Sequence, residues 1–413
     1  MSSANPQGIQ AFPDALTDPD AWLEPFDWYR EMRTDAPVRY DPSRNAWDVF
    51  RYEDVKRVIS DNETFSVNPR IAADFEPADE AGQDMILDTM LFQDPPRHDE
   101  LRDVVDEAFR ARAVAEREPR LRELVDTLLD EAIAANDGEF DLVDELAYPF
   151  PVIVIADILG VPADDRAQFR EWSDSLVAAT SGESGDAIAE QQQESLQEMG
   201  MYFLSLIQDR REDPQDDLIS RIATAELSDG TPLPQQEALG MCMLLLIAGN
   251  ITTTNLITNA VRCFENNDLF DELAGDEDAI GTAIEEVLRY RAPVQAMTRI
   301  ARTDVTLGEE SIDEGDRLVA WLGSANRDEQ KFDESDQFIV DREPTEHLGF
   351  GHGTHYCLGA PLARLEARVA LSALLSRFDG LAVAETDLSP TRSSFVYGVE
   401  SLPLQYSGTN DLT

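Results

Sequence analysis

The sequence predicts a mainly α-helical protein with small β-sheets, organised as one large domain. Segments rich in Ala, Leu and Glu, with apolar residues at helical spacing, dominate from about residue 98 to residue 290. Short strand-like stretches fall on both sides of this block, and no Gly-rich or Pro-rich linker divides the chain. The four stretches are Ala46–Arg51, Asp304–Leu307, Arg317–Leu322 and Phe395–Tyr406.

Two helices and one tail can be placed from residue pattern alone. The first helix carries an i, i+3, i+4, i+7 apolar stripe suited to burying one face, made of Leu121, Leu124, Val125, Leu128, Leu129 and Ile133. A second, long helix is predicted over 231–264, with Pro234 near its start, where a missing N–H costs least. Residues 1–17 are expected to form a polar N-terminal tail.

The charge balance is the most unusual bulk property. The chain has 83 acidic and 33 basic residues, a formal net charge of -50, yet it keeps 18 Phe and 5 Trp, which disordered acidic chains lack. A folded protein with this surface repulsion is stabilised by salt screening. We therefore predict a halophile's protein, and the same charge disfavours binding to nucleic acid or to an anionic membrane surface.

Cysteine usage and apolar run lengths indicate a soluble cytoplasmic protein. The three cysteines are too few and too scattered for a disulfide framework, and the first twelve residues have neither a basic nor an apolar signal region. The longest apolar run, Met241–Gly249, is far shorter than the roughly 20 residues of a membrane span. No membrane insertion is expected.

The chemistry concentrates in the segment 347–359. It holds Cys357 and three of the chain's four histidines, His347, His352 and His355, among glycines that allow tight turns. A helical pattern with Pro361 in its first turn follows directly. Cys357 is thus predicted just before a helix N-terminus, where free amides and the helix dipole favour a thiolate.

Three interpretations of this segment are compatible with its residues alone. Zinc could bind Cys357 and the three histidines, although structural zinc sites normally use compact paired ligands. A single thiolate could bind haem iron, with the glycines letting the loop lie against the ring. A buried free cysteine beside a tight turn is the third, purely structural interpretation.

The segment Phe350–Gly359 resembles the haem loop of cytochrome P450 enzymes, F-G-x-G-x-H-x-C-x-G, at every fixed position. The resemblance runs from about Asp18 to the C-terminus, and within the family the chain resembles soluble bacterial-type members. Further family patterns occur in the expected order. They are Asp94–His98 with Arg102 for D-P-P-x-H-x-x-x-R, Glu286–Arg289 for E-x-x-R followed by Pro293, and Arg342 completing the structural E-R-R triad.

This resemblance implies the cytochrome P450 fold in a single domain covering 1–413, with haem b (iron protoporphyrin IX) as cofactor. Cys357 would be the axial ligand of the iron, 347–359 the haem-thiolate loop and 231–264 the distal helix. Other side chains would contact the cofactor. By similarity these are His98, Arg102, Arg299 and His355 on the propionates, and Phe350, Gly351 and Gly359 on the ring.

The resemblance also implies monooxygenation of a hydrophobic small molecule with dioxygen. The catalytic positions of the distal helix would be Ala248, Gly249, Asn250 and Thr252. The family pattern A-G-x-[D/E]-T-T has an acid where this chain has Ile251, which cannot relay a proton. Asn250-ordered water, a substrate hydroxyl, or a peroxide-using or non-oxygenating reaction could compensate, and a non-catalytic haem sensor is a further alternative.

The resemblance places several segments around the substrate. Gln295 could orient a polar group there, although ordinary core packing is the alternative for it and for each of the other side chains named here. The predicted walls are Ile86–Phe92, the helices flanking Ser181–Asp186, Ala248, Gly249, Thr252, Val294–Met297 and Val396–Val399.

Electrons would come from a ferredoxin-type donor with its reductase, because the chain has no flavin or iron–sulfur motif. A concentration of arginines could form the docking face or simply pair with nearby acids. These are Arg102, Arg110, Arg112, Arg117, Arg120 and Arg122.

Overall fold

A computed structural model describes most of the chain. The described ranges are 12–75, 86–135, 138–162, 165, 168–169, 172, 186–343, 346–384, 387–391 and 393–410, without the side chains of 186–193. The predicted tail lies outside them up to residue 11, as does the polar tract over 181–185. The remainder of the predicted tail packs on the domain, since Leu16 is buried and the Phe12 ring lies 5.0 Å from that of Trp22.

Helices dominate the described residues, as predicted. They are Pro19–Leu23 (α1), Phe26–Asp35 (α2), Tyr52–Ser60 (α3), Arg97–Phe109 (α4), Ala111–Ala115 (α5), Glu118–Ala135 (α6), Pro149–Leu159 (α7), Asp186–Glu212 (α8), Leu218–Ala223 (α9), Gln235–Asn266 (α10), Phe270–Leu273 (α11), Glu277–Tyr290 (α12), Leu322–Ala325 (α13) and Ala360–Arg377 (α14).

The strands are short and assemble into four small sheets within the described residues. They are Val38–Asp41 (β1), Ala46–Val49 (β2), Phe65–Ser66 (β3), Glu139–Asp141 (β4), Ala296–Ala301 (β5), Val305–Leu307 (β6), Glu310–Ile312 (β7), Arg317–Trp321 (β8), Phe378–Asp379 (β9), Ala382–Val383 (β10), Pro403–Gln405 (β11) and Gly408–Thr409 (β12).

The largest sheet joins strands from residues 38–66 to strands from residues 296–321. Its strand order is β1-β2-β8-β5-β3, and β2 runs parallel to β8 with Trp47 opposite Leu318. The predicted strand over 395–406 is shorter than expected. Only β11 forms a continuous ladder there, between β4 and β10, while Val396 and Val399 make isolated bridges to Val294 and Pro390.

The long helix α10 starts four residues later than the sequence pattern predicts. Pro234 is its N-cap in extended conformation, because the preceding residues are held in a turn. The amide of Leu233 donates to the carbonyl of Ala225 at 2.9 Å, and that of Leu227 donates to Thr231 at 2.8 Å. By length and hydropathy α10 could cross a membrane, but 67% of its most apolar stretch is buried inside the protein, as in a core helix.

The helical core brings α10 and α14 together. Buried side chains of α6, α7, α10, α12 and α14 form one large apolar cluster, and two smaller clusters cover the main sheet. Since α14 begins at Ala360, the cysteine segment lies directly before the first residue of one of these core helices. The fold thus sets the segment 347–359 and the middle of α10 on elements that pack against each other.

Candidate active site

The cysteine loop, defined as His347–Gly359, is closed by its own backbone. The amide of Cys357 donates to the carbonyl of Phe350 at 2.9 Å, and the amide of Gly351 donates to Leu348 at 2.8 Å. Gly351 has φ +74°, where an L side chain would be strained, and a Cβ there would lie 3.6 Å from the Met297 methyl carbon. The loop therefore turns back on itself and presents Cys357 just before α14, as predicted.

Cys357 is exposed, whereas the other two cysteines of the chain are buried. Protein atoms nevertheless crowd the sulfur, and this desolvation raises the pKa of the thiol. The amides of Gly359 and Ala360 and the charge of Arg102 act in the opposite direction but do not outweigh it. The predicted stabilisation of a thiolate by amides is present. By itself it does not lower the pKa of Cys357.

Four predicted cofactor residues converge beside this loop. The rings of His98 and His355 lie 4.3 Å apart, and Arg102 donates to the carbonyl of Tyr356 at 2.9 Å. Burial, followed by the charges of Arg299, His98 and Arg102, lowers the pKa of His355 to about 2. Arg299 is also buried, and desolvation lowers its pKa to about 10. His355 is therefore uncharged at neutral pH, and its ring N–H acts beside the charges of Arg102 and Arg299. This arrangement is suited to an anionic ligand, and we call these three residues together with His98 the cationic cluster.

Two atoms of this cationic cluster are available to such a ligand. His355 Nε2 and Arg299 Nε are buried and have no hydrogen-bond partner among the described residues. Native proteins leave few buried polar atoms unpaired, so these atoms need an account. A bound carboxylate would satisfy both.

The zinc interpretation is not supported by the geometry. His347 uses both ring nitrogens, because Nδ1 accepts from the amide of Gly349 and Nε2 contacts Glu285. Within the described part of the chain, no three His, Cys, Asp or Glu side chains are grouped to hold a metal ion.

The hydroxyl patch of α10, defined as Ala248–Thr254, lies beside an accessible stripe on a buried helix. Between Ala238 and Phe264, all residues are buried except Leu244, Ile247, Ala248, Gly249, Ile251 and Thr252. Five of the six follow i, i+3, i+4, i+7, i+8 spacing, which is one helix face. Thr252 donates its hydroxyl to the carbonyl of Ala248, one helical turn earlier, at 3.0 Å.

Several predicted pocket residues lie elsewhere. Gln295 is fully buried, accepts from the Tyr29 hydroxyl at 2.9 Å and donates to the carbonyl of Ala292 at 2.7 Å. It therefore belongs to the core and cannot orient a substrate. Ala296 is also buried, whereas Val294 and Met297 are partly exposed.

The predicted structural triad is formed. Arg289 makes two hydrogen bonds of 2.7 Å to Glu286, and Arg342 Nε donates to the same carboxylate at 3.1 Å. Glu286 and Arg289 are fully buried. This network fixes α12 against the segment that leads into the cysteine loop.

Sequence reasoning missed two acids of the site. Glu285 lies on α12, the helix that carries Glu286 and Arg289. It bonds Arg364 at 2.6 and 2.9 Å and contacts His347. Glu366 is buried on α14 and accepts a long 3.4 Å hydrogen bond from Thr253 of α10. A signal for Glu366 existed, since it follows the apolar residue Leu362 by four positions and therefore shares a helix face with it.

Most of the arginine concentration pairs with neighbouring acids. Arg110, Arg112, Arg120 and Arg122 each contact a carboxylate three or four residues away. This supports the simpler of the two interpretations for these four residues. The side chains of Arg110 and Arg112 are still 69% and 92% exposed, so both remain accessible.

Comparison with known proteins agrees with this geometry. The family model "Cytochrome P450" matches residues 280–407. A putative cytochrome P450 of Bacillus subtilis, YjiB, is 41% identical over 91% of this chain and 92% of its own. The erythromycin C-12 hydroxylase of Saccharopolyspora erythraea is 41% identical over 87% of this chain and 89% of its own.

Solved structures match over nearly the whole chain. Substrate-free CYP109E1 from Bacillus megaterium is 39% identical, with a TM-score of 0.87, covering 93% of this chain and 99% of that one. The same protein in complex with testosterone gives 38% identity and a TM-score of 0.84, covering 95% and 100%. The fold and these relatives thus define a mainly helical protein of a haem-enzyme class.

The chain belongs to the cytochrome P450 family, and it is an oxidoreductase of the monooxygenase class. The family implies a haem cofactor. The residues fit this group, because the thiol of the exposed residue Cys357 suits an iron, and the unpaired buried atoms of Arg299 and His355 suit a carboxylate.

Proposed function

We propose that the chain inserts one oxygen atom from dioxygen into a hydrophobic small organic substrate, with haem b as its prosthetic group. The balance is R–H plus O₂, two electrons and two protons, giving R–OH and water. The convergence of Cys357 with the cationic cluster of His98, Arg102, Arg299 and His355 carries this proposal. When bound, thiolate-ligated haem supplies dioxygen activation, since thiolate donation favours O–O cleavage.

Each part of the cysteine loop has a proposed role in holding this group. Cys357 would ligate the haem iron, and Phe350, Gly351 and Gly359 would hold the ring. Gly359 supports this role because a Cβ there would meet no protein atom within 4 Å, so the backbone is open to close approach. His98, Arg102, Arg299 and His355 would bind the propionates, which would pair the buried arginine charge.

On the opposite side, Thr252 and Asn250 are proposed to order the water that carries protons, with Ala248 and Gly249 leaving space beside them. Asn250 Oδ1 is buried without a partner in the described part of the chain, and this supports a bound water there. Ile251 lies on the accessible stripe, and its side chain can neither donate nor accept a proton. The relay is therefore proposed to run through water and hydroxyl groups instead of an acid at this position.

The substrate is proposed to be an apolar molecule of steroid or macrolide size. Four of the six accessible residues on α10, Leu244, Ile247, Ala248 and Ile251, have aliphatic side chains, which suits an apolar ligand. Among relatives, CYP109E1 was crystallised with testosterone and with corticosterone, and another relative is an erythromycin hydroxylase.

A ferredoxin-type protein with its reductase is proposed as electron donor, docking near Arg110 and Arg112. Their exposure, 69% and 92%, supports a role in attracting an acidic partner. We further propose that the protein works in a salt-rich cytoplasm, since a net charge of -50 is tolerable only when screened.

The first experiment is the ferrous–carbon monoxide difference spectrum of purified protein in concentrated salt. We expect the strongly red-shifted Soret band of a thiolate-ligated haem, and its loss in Cys357→Ala. Cys263→Ala, at a buried cysteine, is the matched control and should keep the band. A wild-type protein that binds haem but lacks this band would exclude the proposed thiolate ligation.

The second experiment tests the reaction. Steroids and macrolides are screened with a ferredoxin system, and product is counted per reducing equivalent. Electron-driven hydroxylation supports the proposal. Product formed only with added peroxide would instead support the peroxide-using alternative that Ile251 raises.

A further inference from the structure

A single carboxylate is bonded to the first residue of the cysteine loop and to the helix that follows the loop. Glu285 lies on α12, and its Oε2 contacts Nε2 of His347 at 3.1 Å. The same carboxylate accepts from Arg364 Nε at 2.6 Å and from Arg364 Nη2 at 2.9 Å. His347 opens the loop and Arg364 follows it on α14, so Cys357 lies between the two attachments.

At the start of the loop, the hydrogen bonds fix one tautomer of His347. Its Nδ1 accepts from the amide of Gly349 at 3.1 Å, so the proton resides on Nε2, which donates to Glu285. Gly349 is also sterically required, since a Cβ there would lie 2.5 Å from the carbonyl oxygen of Leu288. The beginning of the loop is thus held at a fixed distance from α12.

On the helix that follows the loop, Arg364 extends the attachment to the residues around Cys357. Its guanidinium carbon lies 4.6 Å from the centre of the Phe350 ring, and its Nη1 donates to the Tyr356 hydroxyl at 3.3 Å. Phe350 is the residue whose carbonyl accepts from the amide of Cys357. Displacement of Arg364 would therefore be transmitted to the backbone that carries the sulfur.

The charge of Glu285 is secured by its partners. Desolvation raises the pKa of this carboxyl, but the hydrogen bonds from Arg364 and His347 outweigh it and hold the pKa at about 2. The carboxylate is therefore ionised under all ordinary conditions, and its hydrogen bonds are charge-assisted.

We propose that Glu285 is a positioning residue for the thiolate ligand, acting through His347 at the start of the cysteine loop and Arg364 on the helix that follows it. This rests on the proposed role of Cys357 as axial ligand. Glu285 touches neither cofactor nor substrate in this proposal. Its role is to limit the motion of the loop.

The test uses Glu285→Gln, which keeps size and removes charge, and Glu118→Gln as a matched control. Like Glu285, Glu118 bonds two partners, which here are Arg122 at 2.6 Å and Arg368 at 3.0 Å. Its side chain is 28% exposed, against 27% for Glu285. No bond from Glu118 to the cysteine loop exists among the described residues. The control therefore reports what loss of a similar ion pair does to the same region.

The first measurement is hydrogen–deuterium exchange of peptides covering 347–359 in the haem-loaded full chain. Glu285→Gln should exchange at least about tenfold faster there, the effect of losing a charge-assisted hydrogen bond. Glu118→Gln should change the rate by less than about threefold on the same scale. The second measurement is the ferrous–carbon monoxide spectrum, in which Glu285→Gln should convert part of the red-shifted band to a shorter-wavelength band.

A second pair of variants keeps the proposal open to refutation if Glu285→Gln folds poorly. His347→Asn retains an oxygen that can accept from the Gly349 amide two residues on, but it cannot reach Glu285. His347→Leu loses both bonds, so exchange should rank Leu above Asn above wild type. Wild-type exchange and spectra in Glu285→Gln, or in both His347 variants, would overturn the proposal. A missing red-shifted band in the wild type would instead refute the proposed function.

Discussion

The two faces that meet at the proposed haem site are built differently. The cysteine loop is held by several hydrogen bonds to other segments, for example from the amide of Leu348 to Asn326 Oδ1 at 2.7 Å, and its residues 350–359 fit the family pattern at every fixed position. In the hydroxyl patch, Thr253 and Thr254 bond Glu366 and the carbonyl of Ala147 on the buried side of α10. On its accessible side such contacts are fewer, because Thr252 bonds its own helix and the neighbouring Asn250 Oδ1 has no described partner. Rigidity is thus concentrated where a ligand atom is held, while the opposite face is left able to vary.

This contrast predicts that changes near the cysteine loop alter stability most. Glu286→Gln should lower the free energy of unfolding by about 3–5 kcal/mol, because Arg289 would be left buried without its counter-charge. Denaturant unfolding at fixed salt measures this. Glu123→Gln is the control, since it breaks an exposed pair with Arg120 and should change stability by less than about 1 kcal/mol. Equal losses in both variants would contradict the contrast.

Glu366 of α14 contacts Thr253 of the hydroxyl patch, where the two faces join. We expect its contribution to folding stability to depend on pH with a sign opposite to that of most carboxylates. Burial raises its pKa from 4.5 to about 8, so the folded protein must take up a proton at neutral pH. The stability contributed by this group is fully present below pH 4.5 and is lost as pH rises towards 8. Glu366→Gln needs no proton and should be more stable at pH 7 by up to roughly 3 kcal/mol.

The measurement is the difference in unfolding free energy between Glu366→Gln and wild type at several pH values. Taking the difference cancels other groups such as His355, whose lowered pKa costs stability only below its unfolded value of 6.5. The difference should be near zero at pH 4.5 and should grow with pH. A difference that is flat across this range would show that Glu366 is ionised in the folded protein.

Sequence reasoning was most successful where chemistry is local in the chain. The loop around Cys357, its position before a helix and the Glu286–Arg289 spacing follow from adjacent residues, and the structure has all three. It failed where a side chain's environment is set by distant segments. Gln295 was considered as a residue that orients a substrate group, but its side-chain oxygen accepts a hydrogen bond from Tyr29, 266 residues earlier in the chain. Glu285 was missed for the same reason, because its partners lie 62 and 79 residues away.

In the hydroxyl patch of α10, an acid can be introduced at residue 251, where the family pattern has one, to test the comparison further. Ile251→Glu should raise product formed per reducing equivalent by roughly two- to tenfold, because a carboxyl group can pass protons towards the site of oxygen activation. Ile251→Gln has similar size without a useful acid and is the matched control. Thermal stability should change little in either variant, since residue 251 is only partly buried. Unchanged coupling in Ile251→Glu would indicate that protons already arrive by an efficient route.

The smallest effect is expected at the surface, where Arg110 and Arg112 are only loosely paired with Asp106 and Glu116 at 3.0 and 3.4 Å. Replacing both arginines by Gln should slow association with an acidic donor about three- to fivefold at low ionic strength, without changing the carbon monoxide spectrum. Stopped-flow reduction measures the rate, with Arg30→Gln on α2 as control. At molar salt the screening length falls to about 3 Å, so the difference should vanish. Persistence of the difference there would mean that these side chains contact the donor directly instead of attracting it from a distance.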